Sequence, residues 1–226
     1  MSERTLFAMP ETGIGLFPDV GATHFLPHCP GHFGLYLGLT GARVGVADAV
    51  HLRLGTHYVP SSKIAALDRA LLAADYSRDP RKTVDAVIAD FAAEPPFPPL
   101  ESHHGGIERA FSAPSVDQIV ARLEADGSPF ATDTLKQLRT KSPLSLKVTF
   151  RQLTRYGSLS FDEAMKLEYR LAVHCNFGHN FFEGIRAVVV DKHQAPQWRP
   201  ARLEDVTEAM VDEYFGMPPC GDMTFD

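Results

Sequence analysis

The sequence is poor in the residues that build disulfide-linked or metal-linked frameworks. Only three of its 226 residues are cysteines, namely Cys29, Cys175 and Cys220. Their number is odd and their spacing is wide, which argues against a disulfide framework and against a zinc site. We therefore predict three free thiols, buried or incidental, in a protein of a reducing compartment.

The sequence also lacks an excess of positive charge and lacks long apolar runs. Its 22 basic residues are outnumbered by 28 acidic ones, which gives a net charge of −6. This composition has no electrostatic footprint for nucleic acid. No apolar stretch approaches the roughly 20 residues that span a bilayer, and the first residues show no basic segment followed by an apolar one. We therefore predict a soluble cytoplasmic protein with no nucleic-acid or membrane partner.

The feature that points to a function is a pair of carboxylates in a segment rich in glycine and proline. Residues 9–21 read Met-Pro-Glu-Thr-Gly-Ile-Gly-Leu-Phe-Pro-Asp-Val-Gly, with three glycines and two prolines. This composition is incompatible with a regular helix or a central strand. We predict a shaped loop that holds Glu11 and Asp19 close in sequence.

Apolar neighbours give these two acids an environment suited to proton transfer. Leu16 and Phe17 lower the local dielectric, which raises carboxyl pKa values and lets one acid hold a proton near neutrality while the other stays charged. This pattern predicts general acid/base chemistry at Glu11 and Asp19. The residues alone leave a second interpretation equally open, in which Glu11 caps a helix or pairs with an arginine and Asp19 is an ordinary turn residue.

The order of residues in this segment resembles the active-site stretch of 3-hydroxyisobutyryl-CoA hydrolases, a branch of the crotonase (enoyl-CoA hydratase/isomerase) superfamily. The resemblance continues along nearly the whole chain. Further similar motifs lie at residues 36–41, 111–113, 126–131, 141–149, 151–153, 168–171, 178–179, 182–188 and 191–192.

The resemblance implies a fold and a reaction. The fold is α/β, namely the C-terminal part of a crotonase-like ββα spiral, dominated by helices in this chain. The reaction is hydrolysis of a short branched β-hydroxyacyl-CoA, typically 3-hydroxyisobutyryl-CoA from valine breakdown, to the free acid and CoA. Glu11 is then the main catalytic carboxylate, as nucleophile or as base for a water, and Asp19 binds the substrate hydroxyl or orients that water. CoA enters only as part of the substrate, and no metal or other cofactor is implied.

Members of that family carry further residues before the Met-Pro-Glu stretch, including a glycine-rich turn whose N–H groups hold the thioester oxygen. This sequence has no Gly-Gly-Gly run, so we expect a fragment that works as a homo-oligomer or with a complementing N-terminal chain. One alternative is an inactive fragment that serves only as an oligomerisation or interaction module, because losing oxyanion donors lowers rates strongly. Another is an enoyl-CoA hydratase or isomerase, which the position of Asp19 disfavours by analogy.

Hydrophobic spacing, capping residues and one proline-rich segment predict the organisation of the chain. We predict a crotonase-core remnant over 1–94, an extended connector over 95–100 and a helical C-terminal subdomain over 101–226. Helices are expected over 33–39 and 46–54, after Ser61, through 84–91 and 116–123, after Ser142 and Ser160, and through 182–190. Short strands are expected over 5–8 and 56–59.

Histidines give weaker signals. His103 and His104 precede two glycines but have no third ligand at metal spacing, so a surface loop is predicted. His24, His28 and His32 recur every four residues, yet prolines interrupt the segment and favour loop histidines over metal ligands.

Two cations and two aromatic residues near the end of the chain have two interpretations. Arg186 and Lys192, close in sequence to Phe182 and Trp198, suit the phosphates and adenine of CoA. The favoured interpretation places the cations at a helix end and the aromatic side chains in the core.

Overall fold

The computed structural model describes residues 1–225, and its residue contacts fall into two units. The smaller unit comprises Met1–Phe7 and Arg43–Ser102, and the larger one comprises Ala8–Ala42 and the chain from His103 onward. Residues 8–42 thus group with the C-terminal part of the chain and not with 43–94. The division into segments 1–94, 95–100 and 101–226 stays a prediction.

Helices dominate both units. No helix of residues 1–225 combines the length and the apolar character needed to cross a membrane. In chain order the helices are α1 (Ala22–Phe25), α2 (Phe33–Thr40), α3 (Val46–His51), α4 (Ser61–Ala73), α5 (Pro80–Phe91), α6 (His104–Phe111), α7 (Val116–Asp126), α8 (Pro129–Arg139), α9 (Pro143–Arg155), α10 (Phe161–Phe177), α11 (His179–Ile185) and α12 (Glu208–Phe215). Shorter 3-10 helices cover Glu11–Ile14, Leu26–His28, Pro99–His103 and Leu203–Asp205, and a π-helical turn covers Arg186–Val190.

The smaller unit contains a two-stranded antiparallel sheet. Strand β1 (Leu6–Phe7) pairs with β2 (Val44–Gly45), so the strand predicted over 5–8 is confirmed at its centre. The strand predicted over 56–59 is wrong. Tyr58 forms only an isolated antiparallel bridge with Ala93, and no ladder continues from it.

Local capping signals explain where several helices begin and end. The Ser142 hydroxyl accepts the Ser145 N–H (3.2 Å) at the start of α9, and Ser160 forms a capping box with Glu163 at the start of α10. Gly41 ends α2 in the left-handed conformation at a φ of 67°. The helix predicted over 182–190 is also confirmed, with its last turn wound as a π-helix.

The core of the larger unit anchors the carboxylate segment. Phe17 is fully buried and packs in a cluster with six other buried side chains, namely Val148, Leu167, Leu171, Cys175, Val206 and Val211. Burial of a phenylalanine of this kind contributes about 1.5–3 kcal/mol. The segment between the two carboxylates is therefore fixed by the hydrophobic core.

The three cysteines are free thiols, as predicted. Cys29 and Cys175 are buried, and Cys220 is exposed. Burial raises the pKa of Cys29 to about 11 and that of Cys175 to about 12. These two thiols therefore stay protonated and unreactive at neutral pH.

Candidate functional site

Glu11 and Asp19 lie on one continuous segment of the larger unit. Glu11 is the first residue of the 3-10 helix Glu11–Ile14, which ends at Gly15 with a φ of 73°. Asp19 follows a short stretch without regular secondary structure, and Gly21 at a φ of 90° leads directly into α1. The predicted shaped loop is confirmed, with one short 3-10 turn at its start.

Two glycines allow α11 to lie directly against the Glu11–Ile14 turn. A Cβ on Gly15 would lie 2.3 Å from the Asn180 carbonyl oxygen, and one on Gly184 would lie 2.2 Å from the Ile14 carbonyl oxygen. Neither distance is sterically possible for a real side chain. The absence of side chains at these positions therefore sets the close contact that holds the turn.

Hydrogen bonds tie the same turn to α2 and α9. The buried Thr12 donates its hydroxyl to the Leu39 carbonyl (3.2 Å). Its own carbonyl accepts the N–H of Ser142, the N-cap residue of α9 (3.0 Å). The backbone that carries Glu11 is thus held on two sides by neighbouring helices.

The Glu11 carboxyl is partly buried and incompletely hydrogen-bonded. Its Oε2 atom is buried and has no hydrogen-bond partner among the described residues. Burial, together with the negative charge of Asp19, raises the pKa of Glu11 from 4.5 to about 7, and its own backbone N–H and Lys141 oppose this rise. The carboxyl is therefore a mixture of acid and carboxylate near neutral pH, and one of its oxygens is buried without a hydrogen-bond partner in residues 1–225.

Burial also raises the pKa of Asp19, while its own backbone N–H opposes the rise. Phe17, two residues before it, is fully buried. The predicted direction of the pKa changes at both acids is thus confirmed. The sequence left open a capping role and an arginine-pairing role for Glu11. Glu11 lies in the first turn of a 3-10 helix, but its Oε2 atom caps nothing in residues 1–225. The cation that acts on its carboxyl is Lys141 and not an arginine.

Lys141 is a charged residue of the site that sequence reasoning missed. A Cβ on either Gly13 or Gly41 would lie 3.5 Å from its Nζ atom, so the ammonium occupies space that two glycines leave open. Burial lowers the pKa of Lys141, and the attraction of Glu11 opposes this. Its place before the N-cap of α9 was visible in the sequence, but no local pattern related it to Glu11.

Two further side chains that sequence reasoning missed hold the segment around Asp19. Glu168 is 3% exposed and accepts the N–H groups of Gly21 (2.8 Å) and Thr23 (2.9 Å). Gln152 is fully buried and donates from Nε2 to the Pro18 carbonyl (2.7 Å) and the Thr23 hydroxyl (2.8 Å). Both residues belong to motifs noted in the sequence, but their contacts with this segment are long-range.

Among the cations and aromatic residues near the end of the chain, Trp198 donates its Nε1–H to the carbonyl of Thr140 (3.3 Å), the residue before Lys141. Arg186 forms ion pairs with Glu183 and Asp191, and its hydrogen bond with Glu183 lowers the pKa of that acid to about 2. Phe182 is 61% exposed, so its predicted place in the core is wrong. Trp198 is half-buried.

The histidines lie mostly in helices, and some make polar contacts. His103 ends a 3-10 helix and His104 begins α6, so the predicted loop at these residues is wrong. The following glycines do not break the helix; a Cβ on Gly106 would lie 2.9 Å from the Phe130 ring, which packs there. His32 lies in the predicted loop and contacts a carboxylate 2.9 Å away. Within residues 1–225 no group of three or more His, Cys, Asp or Glu side chains is arranged to hold a metal ion.

Two other histidines also depart from the predicted loop. His24 lies in α1 and His28 ends a 3-10 helix, because the intervening proline occupies the first turn of that helix, where its missing N–H is tolerated. His24 Nδ1 contacts the Leu159 carbonyl (3.2 Å).

Sequence comparison relates this chain to CoA-dependent enzymes. The family model described as enoyl-CoA hydratase/isomerase matches residues 1–215. The chain is 47% identical over 221 residues to the mitochondrial 3-hydroxyisobutyryl-CoA hydrolase of Xenopus tropicalis, covering 95% of this chain and 56% of that protein. It is 42% identical over 229 residues to the enzyme of the same name from Homo sapiens, covering 99% of this chain and 59% of that protein. The chain thus spans little more than half the length of these relatives.

Solved structures show the same fold. A carnitinyl-CoA dehydratase from Mycobacterium thermoresistibile matches with a TM-score of 0.87 and 38% identity, over 97% of this chain and 62% of that one. An enoyl-CoA hydratase from Rhodobacter sphaeroides matches with a TM-score of 0.87 and 36% identity, over 99% of this chain and 63% of that one. The predicted crotonase-like fold, dominated here by helices, is confirmed.

The comparisons contradict the predicted cytoplasmic location. The relatives from Xenopus tropicalis, Mus musculus and Homo sapiens are all named as mitochondrial. The prediction relied on the first residues of a sequence that aligns to only part of these longer proteins, so it carried no information about targeting.

Proposed function

We propose that the protein, whose chain belongs to the enoyl-CoA hydratase/isomerase family, hydrolyses acyl-CoA thioesters. The proposed substrate is 3-hydroxyisobutyryl-CoA, a short branched β-hydroxyacyl-CoA of valine breakdown, and the products are the free acid and CoA. The names of the relatives support this choice. The relatives are longer than the region that aligns with this chain. The proposed enzyme therefore consists of this chain together with the residues that supply the oxyanion donors. Those residues belong to the same polypeptide, to a second copy of the protein or to a complementing chain.

The Glu11 carboxyl is the observation that carries the proposal. Its pKa of about 7 leaves a large carboxylate fraction at neutral pH, and its Oε2 is buried without a partner in residues 1–225. A carboxylate in this state can take a proton from water as the water oxygen attacks the thioester carbon. It can also attack that carbon itself to form an anhydride that water then hydrolyses. In both routes the carbon–sulfur bond breaks and the CoA sulfur leaves with a proton.

Asp19 has a supporting role in this proposal. It lies on the same anchored segment as Glu11, and its charge acts on the Glu11 carboxyl. We assign it to bind the substrate hydroxyl or to orient the attacking water. The chemistry uses positioned water, carboxylates and oxyanion donors, so the proposal includes no metal or redox cofactor.

A second candidate function is hydration of an enoyl-CoA. The two matching solved structures are named as a dehydratase and a hydratase, which favours it. The higher identity to proteins named as hydrolases and the proximity of the two acids on one segment favour hydrolysis. The two reactions differ in a measurable product, because only hydrolysis releases a thiol.

The test is thiol release from 3-hydroxyisobutyryl-CoA by the purified 226-residue chain, carried in a Cys220→Ser background that removes the exposed thiol. Glu11→Gln is compared with the exposed control Glu94→Gln. We expect thiol release that Glu11→Gln abolishes and Glu94→Gln retains.

Two results would overturn this assignment. Hydration of an enoyl-CoA without thiol release would favour the hydratase. A folded chain that releases no thiol, both alone and when supplied with the residues that carry the oxyanion donors, would favour the interaction module.

A further inference from the structure

We propose that Glu168 and Gln152 are positioning residues that hold Asp19 in its working orientation, an inference that rests on the proposed function. They act on the Asp19 segment, defined here as residues 18–23. Neither side chain touches the reacting atoms in this proposal. Glu168 acts through backbone N–H groups after Asp19, and Gln152 acts through the Pro18 carbonyl before Asp19 and the Thr23 hydroxyl after it.

Glu168 fixes the end of the Asp19 segment. It projects from α10 and is 3% exposed. Oε2 accepts the Gly21 N–H (2.8 Å) and Oε1 accepts the Thr23 N–H (2.9 Å), so both carboxylate oxygens are used on this segment. These N–H groups lie at the start of α1, where backbone donors have no partner within the helix. The carboxylate therefore caps α1 from a distant helix.

Gln152 connects the two ends of the Asp19 segment. Its fully buried Nε2 donates to the Pro18 carbonyl (2.7 Å) and to the Thr23 hydroxyl (2.8 Å). Pro18 immediately precedes Asp19, so one amide group spans the residue to be positioned. The Gln152 Oε1 atom is buried and has no hydrogen-bond partner within residues 1–225.

The Asp19 segment needs such restraint because its backbone is strained. Val20 has a φ of 52° and is 73% exposed. A β-branched residue is a genuine outlier in the left-handed region, and its own side chain gains no burial here. Such a conformation persists only when its surroundings over-determine it, and it is concentrated at functional sites.

A buried carboxylate and a buried amide with an unpaired oxygen both lower the stability of a fold. In this chain both are directed at the same six residues, 18–23, which carry one of the two proposed catalytic acids. Apolar side chains at positions 152 and 168 would pack better in the core. The geometry therefore points to positioning of Asp19 as the reason for these two polar side chains.

The test is a double-mutant cycle on thiol release, with Glu168→Gln and Asp19→Asn singly and together. The matched control is Glu163→Gln, the same change on the same helix, where the carboxylate caps α10 itself and does not contact the Asp19 segment. We expect Glu168→Gln to lower kcat by about 10- to 100-fold, as misplacement of a catalytic group does. Glu163→Gln should leave kcat unchanged.

The cycle separates positioning from a purely structural role. If Glu168 acts through Asp19, then Glu168→Gln has little further effect on kcat once Asp19 is asparagine. Equal effects in both backgrounds, or an equal loss in Glu163→Gln, would overturn the proposal. Gln152→Met supplies a second cycle with the same expectation if Glu168→Gln does not fold.

An activity-independent readout keeps this inference distinct from the proposed function. Amide hydrogen exchange at Gly21 and Thr23 should accelerate in Glu168→Gln and stay unchanged in Glu163→Gln, whether or not the chain releases thiol. Unchanged exchange at these two amides would overturn the positioning role. If thiol release is absent even with the oxyanion-donor residues supplied, while exchange is accelerated, the proposed function is overturned and the restraint of the segment is supported.

Discussion

Replacement of Glu11 by glutamine is expected to stabilise the fold at neutral and alkaline pH, although it removes the proposed catalytic carboxylate. In the folded chain the pKa of Glu11 is raised from 4.5 to about 7, chiefly by burial. Between these pH values the folded state binds more protons than the unfolded state, so stability falls as pH rises from about 4.5 to about 7 and stays at the lower level above that. Glutamine has no charge to bury and lacks this loss.

The size of the gain follows from the pKa difference. At about 1.4 kcal/mol for each pKa unit, the rise from 4.5 to about 7 corresponds to at most about 3–4 kcal/mol. Glu11 is only partly buried, and solvent screening reduces that figure. The amide also leaves a polar atom unpaired at the position of Oε2, which costs part of the gain. We expect a net stabilisation of about 1–2 kcal/mol above neutral pH, or about 2–8 °C in Tm for a chain of this size.

The assay is thermal unfolding of the wild type and Glu11→Gln at about pH 4 and about pH 8, on either side of the transition. The exposed control Glu94→Gln should change Tm little at either pH. A difference between Glu11→Gln and wild type that appears only at the higher pH supports the account. Equal differences at both pH values, or destabilisation at the higher one, would refute the reasoning.

Three further predictions concern the surroundings of the site and the free thiols. Lys141→Met should raise the pKa of Glu11 above about 7, because the ammonium favours the charged carboxylate. Carboxyl-carbon NMR titration measures this pKa, and an unchanged value would contradict the role of Lys141. Gly184→Ala should lower the free energy of unfolding, measured in denaturant, by about 1–3 kcal/mol, because its Cβ would meet a carbonyl oxygen. In the control Gly45→Ala the added Cβ meets nothing within 4 Å, so the free energy of unfolding should not fall. Equal effects of the two substitutions would contradict this prediction. A thiol reagent should modify one cysteine of the native chain and none in Cys220→Ser, and rapid modification of a second would contradict the burial of the other two.

Helix starts could be predicted from the sequence because their signals are local. Ser142 and Ser160 cap the helices that follow them, and Glu163 completes the capping box within one turn. The strand predicted over 56–59 failed for the opposite reason. A strand needs a partner elsewhere in the chain, and Tyr58 finds only the single bridge to Ala93.

The same distinction applies to the candidate site. Glu11 and Asp19 could be identified because both lie in one short segment whose composition is unusual. Lys141, Gln152 and Glu168 could not, since only tertiary folding brings them to that segment. Raised carboxyl pKa values could be predicted in direction from apolar neighbours, but the unpaired Glu11 oxygen depends on how the helices pack.

The central claim is that Glu11 acts as a carboxylate with a raised pKa in thioester hydrolysis. The most direct test is the pH dependence of kcat/KM for thiol release from 3-hydroxyisobutyryl-CoA, because this profile reports the pKa values of essential groups in the free enzyme. The account predicts that the rate rises with pH through about 7 and that this rise is lost with activity in Glu11→Gln. A rate that is independent of pH through that range, falls as pH rises, or survives in Glu11→Gln would contradict it.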